Sequence, residues 1–297
     1  MLPLLEVLRR AESYFKKHAV ASPRLSAEIL LARVLGVDRL GLYLSYDRPL
    51  VESELASYRA LVSRRAAHEP LEYILGTASF RSIEVAVGPA VLVPRPETEQ
   101  LVELVLGLMD RVVENTGSKG REPIKILDLC TGSGVIGLCL AAELKGLWCL
   151  LTDNSWEALC WTRKNHQSLR TKLLSQVSLY LGDLCEPLAG KPFFDVVLAN
   201  PPYVAPGEMS QLPKEVREYE PAGALDGGQP GGTGLIARIV KTTPPVMVGG
   251  ALLALEIGEN QQPLLEELFA GNHNYYHSPE FHRDLTGKLR FVTAFRK

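Results

Sequence analysis

From Ile124 onward, short apolar runs of strand length alternate with helix-length segments, and that alternation limits the folds open to the chain more than any other feature. The runs are Ile124 to Leu129, Trp148 to Thr152, Val177 to Leu181, Phe194 to Ala199 and Ala251 to Ile257, with terminal strands expected near Tyr275 to His277 and Leu289 to Phe295. Helices are predicted over Val135 to Leu144, Trp156 to Ser168, Thr233 to Lys241 and Pro263 to Phe269. Strands that are apolar along their length bury both faces, and parallel neighbours need crossovers of the kind these helices supply. The expectation is an α/β domain, a mostly parallel sheet covered on both faces.

Asp128-Leu-Cys-Thr-Gly-Ser-Gly-Val-Ile-Gly137 follows the first of these strands and opens a helix. Gly132, Gly134 and Gly137 spell G-x-G-x-x-G, and Asp153 ends the next strand, where an acid would hold a ribose. A tight turn accounts for one glycine, scarcely for three plus the acid. Small residues here let a ligand approach the backbone, so the stretch points to a nucleotide-type ligand, and an NAD-dependent oxidoreductase is one reading. Two features favour another. Asp128 lies just before the glycines, where it could face a cation, and Gly182-Asp183 ends the third strand, where an adenine amino group could be met. S-adenosylmethionine has the ribose, the adenine and a positive charge without a phosphate. Asp183 alone reads equally as a helix N-cap.

At the end of Phe194 to Ala199 stands Asn200-Pro201-Pro202-Tyr203. The prolines forbid continuation of the strand, so a carboxamide and a phenol are held at its carboxyl end, the edge where open α/β sheets bind ligands. The plainer reading is a turn capped by Asn200 beside a half-buried tyrosine. A planar amide or amino nitrogen is a poor nucleophile because its lone pair is delocalised. The Asn200 side-chain oxygen and the Pro201 carbonyl could hold both N–H groups and stabilise positive charge as the nitrogen pyramidalises, while Tyr203 packs on the planar group.

Residues 1–70 read as helices alone. Leu4, Leu5, Leu8, Tyr14 and Phe15 mark the first; Ser22-Pro23 starts a second, with Leu25, Ile29, Leu30, Ala32 and Val34 as its stripe and Gly36 as its end; a third spans Ser53 to Ala67. Its cationic run, Arg59, Arg64, Arg65 and His68, is expected to be a solvated face, the alternative being a contact for an acidic or RNA-bearing partner. After Glu69-Pro70 the period changes to two over Tyr73 to Leu75, Phe80 to Ile83 and Val85 to Val87, around Gly76 and Ser79, suggesting a hairpin or a pair of short strands that could link domains. Pro94-Arg-Pro-Glu-Thr-Glu99 then presents Arg95 and Glu97 rigidly at the start of a helix reaching about Val113, and Asn115 to Glu122 reads as a surface loop. The organisation expected is 1–70 helical, 71–93 hairpin linker and 94–297 sheet domain.

A net charge of −2 gives no field to gather nucleic acid. The five cysteines are odd in number and lack C-x-x-C spacing, and the six histidines are scattered, so no metal or disulfide framework is implied. No run reaches the ~18 uncharged apolar residues of a membrane span, and the N-terminus lacks the apolar core of a leader. The cytoplasm and a monomeric state are expected, a mitochondrial presequence at the basic N-terminus being the alternative.

The chain resembles the release-factor glutamine N5-methyltransferase family (PrmC/HemK) along nearly its whole length. The resemblance rests on the helical N-terminal domain, Tyr73-Ile-Leu-Gly76 with Phe80, Pro94 to Glu99, Asp128 to Gly134, Asn200 to Tyr203, and Glu220-Pro-Ala-Gly-Ala-Leu225. The tetrapeptide alone is shared with adenine and guanine amino-methyltransferases, which leaves a nucleic-acid methyltransferase as the runner-up. The resemblance implies a class I S-adenosylmethionine-dependent fold with a Rossmann-like, seven-stranded sheet, and as substrate the Gly-Gly-Gln loop glutamine of class 1 peptide-chain release factors, recognised by the helical domain. It places cofactor contacts on Cys130, Thr131, Gly132, Ser133, Gly134, Asp153, Asp183, Leu184 and Asn200. Catalysis and substrate binding fall on Asn200, Pro201, Pro202 and Tyr203, with Arg95 and Glu97 beside them. Cys130 stands where the family usually has glycine, and Leu184 where it often has a larger apolar residue. Gly227-Gly228-Gln229 repeats the substrate tripeptide, which is read as coincidence in a glycine-rich loop.

Overall fold

The computed structural model describes residues 2–120, 123–188, 190 and 192–297. Arg121 and Glu122 of the expected loop lie outside the described residues, as does Met1 of the expected first helix. The chain forms two compact units: Met1–Thr77 with Pro213–Tyr219, and Ala78–Leu212 with Glu220–Lys297.

The first unit is helical: α1 (Leu4–Lys17), α2 (Pro23–Leu35), α3 (Arg39–Tyr43), α4 (Glu52–Ala66) and α5 (Leu71–Leu75). In α1, Leu4, Val7, Leu8, Ala11 and Phe15 recur at helical spacing and are buried, while Glu6 and Lys16–Lys17 suit the two ends of the helix dipole. Proline at the first position starts α2 and Gly36, at φ +65°, ends it. Ser22 is not the expected cap: it sits at φ +48° and its hydroxyl caps nothing. Nor does Leu25 belong to the buried stripe; it is exposed, and Glu28 is buried instead, joined to Arg24, Arg39 (2.7 Å) and the Tyr43 hydroxyl (2.8 Å). α3 went unseen because its one turn carries little periodicity; Asp38 caps it through Gly41 N at 2.8 Å.

The cationic run of α4 is not a free face. Arg59 pairs with Glu52 and Arg64 with Glu69, and Arg65 is buried, with Nη1 at 2.6 Å from Glu215 and 2.8 Å from the Glu69 carbonyl. Tyr73 to Leu75 is helical rather than strand. Pro70 precedes it and Gly76, at φ +78°, closes it, and these boundaries outweigh an alternation only three residues long.

In the second unit a hairpin of β1 (Thr77–Phe80) and β2 (Ile83–Ala86) turns at Arg81, not around Gly76 and Ser79. Arg81 is held by Glu103 at 2.7 Å and Glu143 at 2.9 Å, and Asn165 clasps Ala86 through both backbone groups. There follow α6 (Pro96–Thr116), β3 (Ile124–Leu129), α7 (Val135–Glu143), β4 (Leu147–Asp153), α8 (Trp156–Leu169), β5 (Gln176–Leu181) and β6 (Phe194–Ala199). After α9 (Lys214–Tyr219), which belongs to the helical unit, come α10 (Gly234–Thr242), β7 (Met247–Glu256), α11 (Gln262–Gly271), β8 (Glu280–Arg283) and β9 (Leu289–Phe295).

The sheet order is β5-β4-β3-β6-β7-β9-β8, parallel from β5 to β7 with β9 and β8 antiparallel. That order, with β9 alone reversed, is the class I methyltransferase sheet. Tyr275 to His277 is not a strand: Tyr276 makes an isolated bridge to Arg296, and the edge strand is the polar Glu280–Arg283, whose composition hid it. Strand parity divides the core. Leu127, Leu129, Val197, Leu253 and Leu255 pack with Ile236, Ile239 and Val240 of α10 and Leu265 and Phe269 of α11. Asp128 and Glu256 have the opposite parity and meet α7 and α6. Among the described residues no helix is long and apolar enough to cross a membrane.

Candidate active site

The carboxyl ends of β3, β4 and β6 open on a cleft of about 300 Å³ lined by Cys130 to Ser133, Asp153, Asp183, Leu184, Asn200 and Pro202, together with Arg95 and Thr98. A larger hollow, near 590 Å³, lies by Gly250, Asn115 and Phe295 toward the amino-terminal end of β7, away from the edge that serves ligands in such sheets.

Backbone strain and two carboxylates shape the glycine loop. Gly132 and Gly134 have φ of +58° and +82°, and Cys130, at +55°, adopts the same left-handed region without glycine's freedom. For a residue with a Cβ that conformation costs about 1–2 kcal/mol, which explains why glycine is the easier choice there. A side chain at Gly132 would enter open space, whereas one at Gly137 would lie 2.8 Å from the Leu151 Cγ, so one glycine leaves room for a ligand and the other for a strand. Asp153 accepts from Gly132 N and Ser155 N, each at 2.9 Å. Burial raises its pKa, opposed by those backbone donors.

Asp128 does not face the cleft as expected. It is fully buried, and Oδ2 accepts from the Thr131 hydroxyl (2.6 Å) and Gly137 N (3.0 Å), so it shapes the loop from beneath. Burial pushes its pKa up to about 7. Asp183 pairs with Arg238 of α10 at 2.7 Å instead of capping a helix with its side chain; both are nearly half exposed, so the pair contributes under about 1 kcal/mol.

Asn200 enters the cleft with its amide tethered from behind. Its Nδ2 donates to the Thr98 hydroxyl at 2.9 Å, and that hydroxyl donates to Glu256 Oε2 at 2.7 Å. Asn200 Oδ1 accepts no hydrogen bond from the described residues. Tyr203 does not line the cleft: its hydroxyl donates to Glu256 Oε1 at 3.1 Å and its ring packs against the core. Gly134, Pro201 and Glu97 also lie off the lining. Thr98 and Glu256 escaped the sequence reading, although a lone acid inside Ala251 to Ile257 was a signal: a charge in a buried strand needs partners.

The segment after the tetrapeptide is strapped down. Val204 exchanges backbone bonds with Leu225 (2.8 Å) and Gly227 (3.0 Å), and Gln261 Nε2 holds the Tyr203 carbonyl at 2.8 Å. A Cβ on Gly227 would lie 2.7 Å from Tyr203 Cα, and one on Gly232 would collide with the Tyr203 carbonyl oxygen. Gly227 of the Gly-Gly-Gln stretch thus serves close backbone approach, whereas Gly228, with open space where a Cβ would stand, serves a left-handed φ of +73°.

The family model described as the PrmC N-terminal domain matches residues 6–76, and the methyltransferase small domain matches residues 111–216. A release factor glutamine methyltransferase of Geobacter sulfurreducens is 37% identical over 265 residues, covering 89% of this chain and 87% of that protein. The chain belongs to the release factor glutamine methyltransferase family. A second family member, from Rhodopirellula baltica, is 35% identical over 292 residues, covering 98% of this chain and 95% of its own. The fold is also that of a Pyrococcus furiosus methyltransferase (TM-score 0.50, 16% identity, 79% of this chain and 98% of that one) and of the hMettl16 catalytic domain (TM-score 0.53, 16% identity, 79% and 81%). As a member of the family the chain is a methyltransferase.

Proposed function

We propose that the chain transfers a methyl group from S-adenosylmethionine to the side-chain amide nitrogen of the glutamine in the Gly-Gly-Gln loop of class 1 peptide-chain release factors. Family membership supports the substrate, and the single observation that carries the chemistry is the tethered Asn200 amide, which leaves Oδ1 as an acceptor in the cleft. When bound, the cofactor supplies an electrophilic methyl on a sulfonium. Gly132 and the rest of the 130–133 loop, Asp153, Leu184 and Asn200 are the residues that would hold it, and they fit: a half-buried carboxylate for ribose hydroxyls, open space above Gly132, and a leucine for an adenine face.

Asn200 Oδ1 and the Pro201 carbonyl would each take one N–H of the glutamine amide. They stabilise positive charge on the nitrogen as it pyramidalises, and the strapped prolines keep the acceptors aimed. Alignment of this kind supplies up to about 7–11 kcal/mol of a barrier reduction. No strong base is required, since the methylated nitrogen is acidic enough to lose its proton to water, and Glu256 is too deeply buried to take it.

The helical unit is assigned as the recognition module for the release factor. Its arginine run is not the means, because Glu52, Glu69 and Glu215 neutralise it. A monomer in the cytoplasm is the setting that fits such a substrate. Incubation with labelled S-adenosylmethionine and a purified release factor should place label on the loop glutamine. Label on RNA or DNA with none on the factor would overturn this reading.

A further inference from the structure

We propose that Glu256 is a positioning residue: through the Thr98 hydroxyl it decides which end of the Asn200 carboxamide faces the cleft. The inference rests on the reading of Asn200 as the acceptor for a substrate N–H.

A carboxylate can only accept hydrogen bonds. With Glu256 ionised, the single Thr98 proton must point to Oε2, so the Thr98 oxygen can only accept, and the Asn200 group it accepts from must be Nδ2. Oδ1 is left for the substrate. Tyr203 occupies the other carboxylate oxygen and holds Glu256 from the opposite side. A proton on Oε2 reverses the sequence. Oε2 donates to Thr98, the Thr98 proton turns to Asn200, and the amide must rotate to offer Oδ1 to it. Nδ2 then enters the cleft, where two donors meet the donors of a substrate amide. Two rows of N–H groups facing one another make no hydrogen bond and exclude the bound geometry.

The surroundings place this reversal within reach of ordinary pH. Glu97 and Thr98 face Glu256 from α6, Tyr203 faces it from the loop after β6, and Arg290, itself near Asp284, faces it from β9. Burial is the dominant influence and lifts the carboxyl to about 7; Thr98, Tyr203 and Arg290 oppose it and Glu97 adds to it. Methyl transfer is therefore expected to fall about tenfold per pH unit below that midpoint.

Two readouts test the inference. In the protein alone, the side-chain amide resonance of Asn200, assigned by its loss in Asn200→Ala, should titrate with the same midpoint as the Glu256 carboxyl carbon. In Thr98→Val the Glu256 carbon should still titrate while the Asn200 amide no longer follows; Thr98→Ser should restore the coupling, and Glu256→Gln should abolish it. An Asn200 amide that ignores Glu256 in the wild type, or follows it in Thr98→Val, overturns the proposal. In the transfer assay, Thr98→Val should lower kcat about a hundredfold and lose the acid limb of the pH profile, with S-adenosylhomocysteine affinity within threefold of wild type. Thr98→Ser should recover to within about fivefold. If wild type transfers nothing to any release factor, the substrate reading fails, and the titration still decides whether Glu256 sets the amide.

Discussion

Replacing Gly227 with alanine isolates the contribution of the strap to catalysis. Gly227 does not occupy the left-handed region, so the substitution adds a methyl without backbone strain. That methyl would sit 2.7 Å from Tyr203 Cα and closer still to the Gly232 carbonyl oxygen. Carbon atoms rest about 3.5–4.0 Å apart, so the two segments must separate by roughly 1 Å. Overpacking of this kind destabilises by about 1–3 kcal/mol. The same displacement passes along three residues of rigid backbone to Asn200, and a misplacement near 1 Å lowers a rate about a hundredfold. The expected result is a urea midpoint shifted by that free energy, a kcat reduced about a hundredfold, and S-adenosylhomocysteine affinity within threefold, since Asp153 ends β4 and Gly132 lies in the loop after β3. A destabilised variant with full kcat would show that the strap yields by itself and does not aim the tetrapeptide.

Further outcomes follow from charges and strain. Glu256 ionises less readily in the folded chain than when unfolded, so its stabilising contribution is complete below the ordinary glutamate range and is lost as pH rises through about 7. Urea unfolding of Glu256→Gln should therefore lack a decline that wild type shows between pH 4.5 and 8, on the order of 3 kcal/mol at 1.36 kcal/mol per unit. Asp153→Ala should weaken S-adenosylhomocysteine binding by a factor of roughly 10² or more in calorimetry, because ribose hydroxyls lose a charged acceptor. In the helical unit, Glu215→Ala strands the buried Arg65 guanidinium and should cost about 3–5 kcal/mol in the melting of that unit, whereas Glu52→Ala, beside exposed Arg59, should change it by less than 1 kcal/mol. Cys130→Gly relieves a left-handed φ and should raise stability by about 1 kcal/mol, read from the urea midpoint of the sheet unit.

What could be read from residue order was what local physics decides. The parallel strands, the glycine loop with Asp153, and the break at Asn200 each declare themselves within a dozen residues, through apolar runs and through Gly and Pro. The tether behind Asn200 joins residues far apart in sequence, Thr98 on one helix and Glu256 on a strand near the other end, and no local pattern links them. Even so, Glu256 was visible as an acid in an apolar strand, a placement that required an explanation. Asp128 was misplaced for a related reason. Its position before the glycines was plain, but whether a strand residue faces a cleft or an adjoining helix depends on parity against partners that only the assembled sheet supplies. Tyr73 to Leu75 and the Tyr275 region failed where runs of three residues had to choose between helix, strand and turn without enough length to show a period.

The placement of α9 bears on how separable the two units are. The chain leaves the sheet unit after Leu212, contributes Lys214–Tyr219 to the helical unit and returns at Glu220. Glu215 on that excursion is the carboxylate of Arg65, and Tyr219 donates its hydroxyl to the Ala67 carbonyl at 2.9 Å. The helical unit is thus a discontinuous module. An exchange of residues 6–76 between relatives would transplant an arginine without its counter-ion and leave its old partner behind, so a chimaera that keeps a folded module must carry 213–219 along with it.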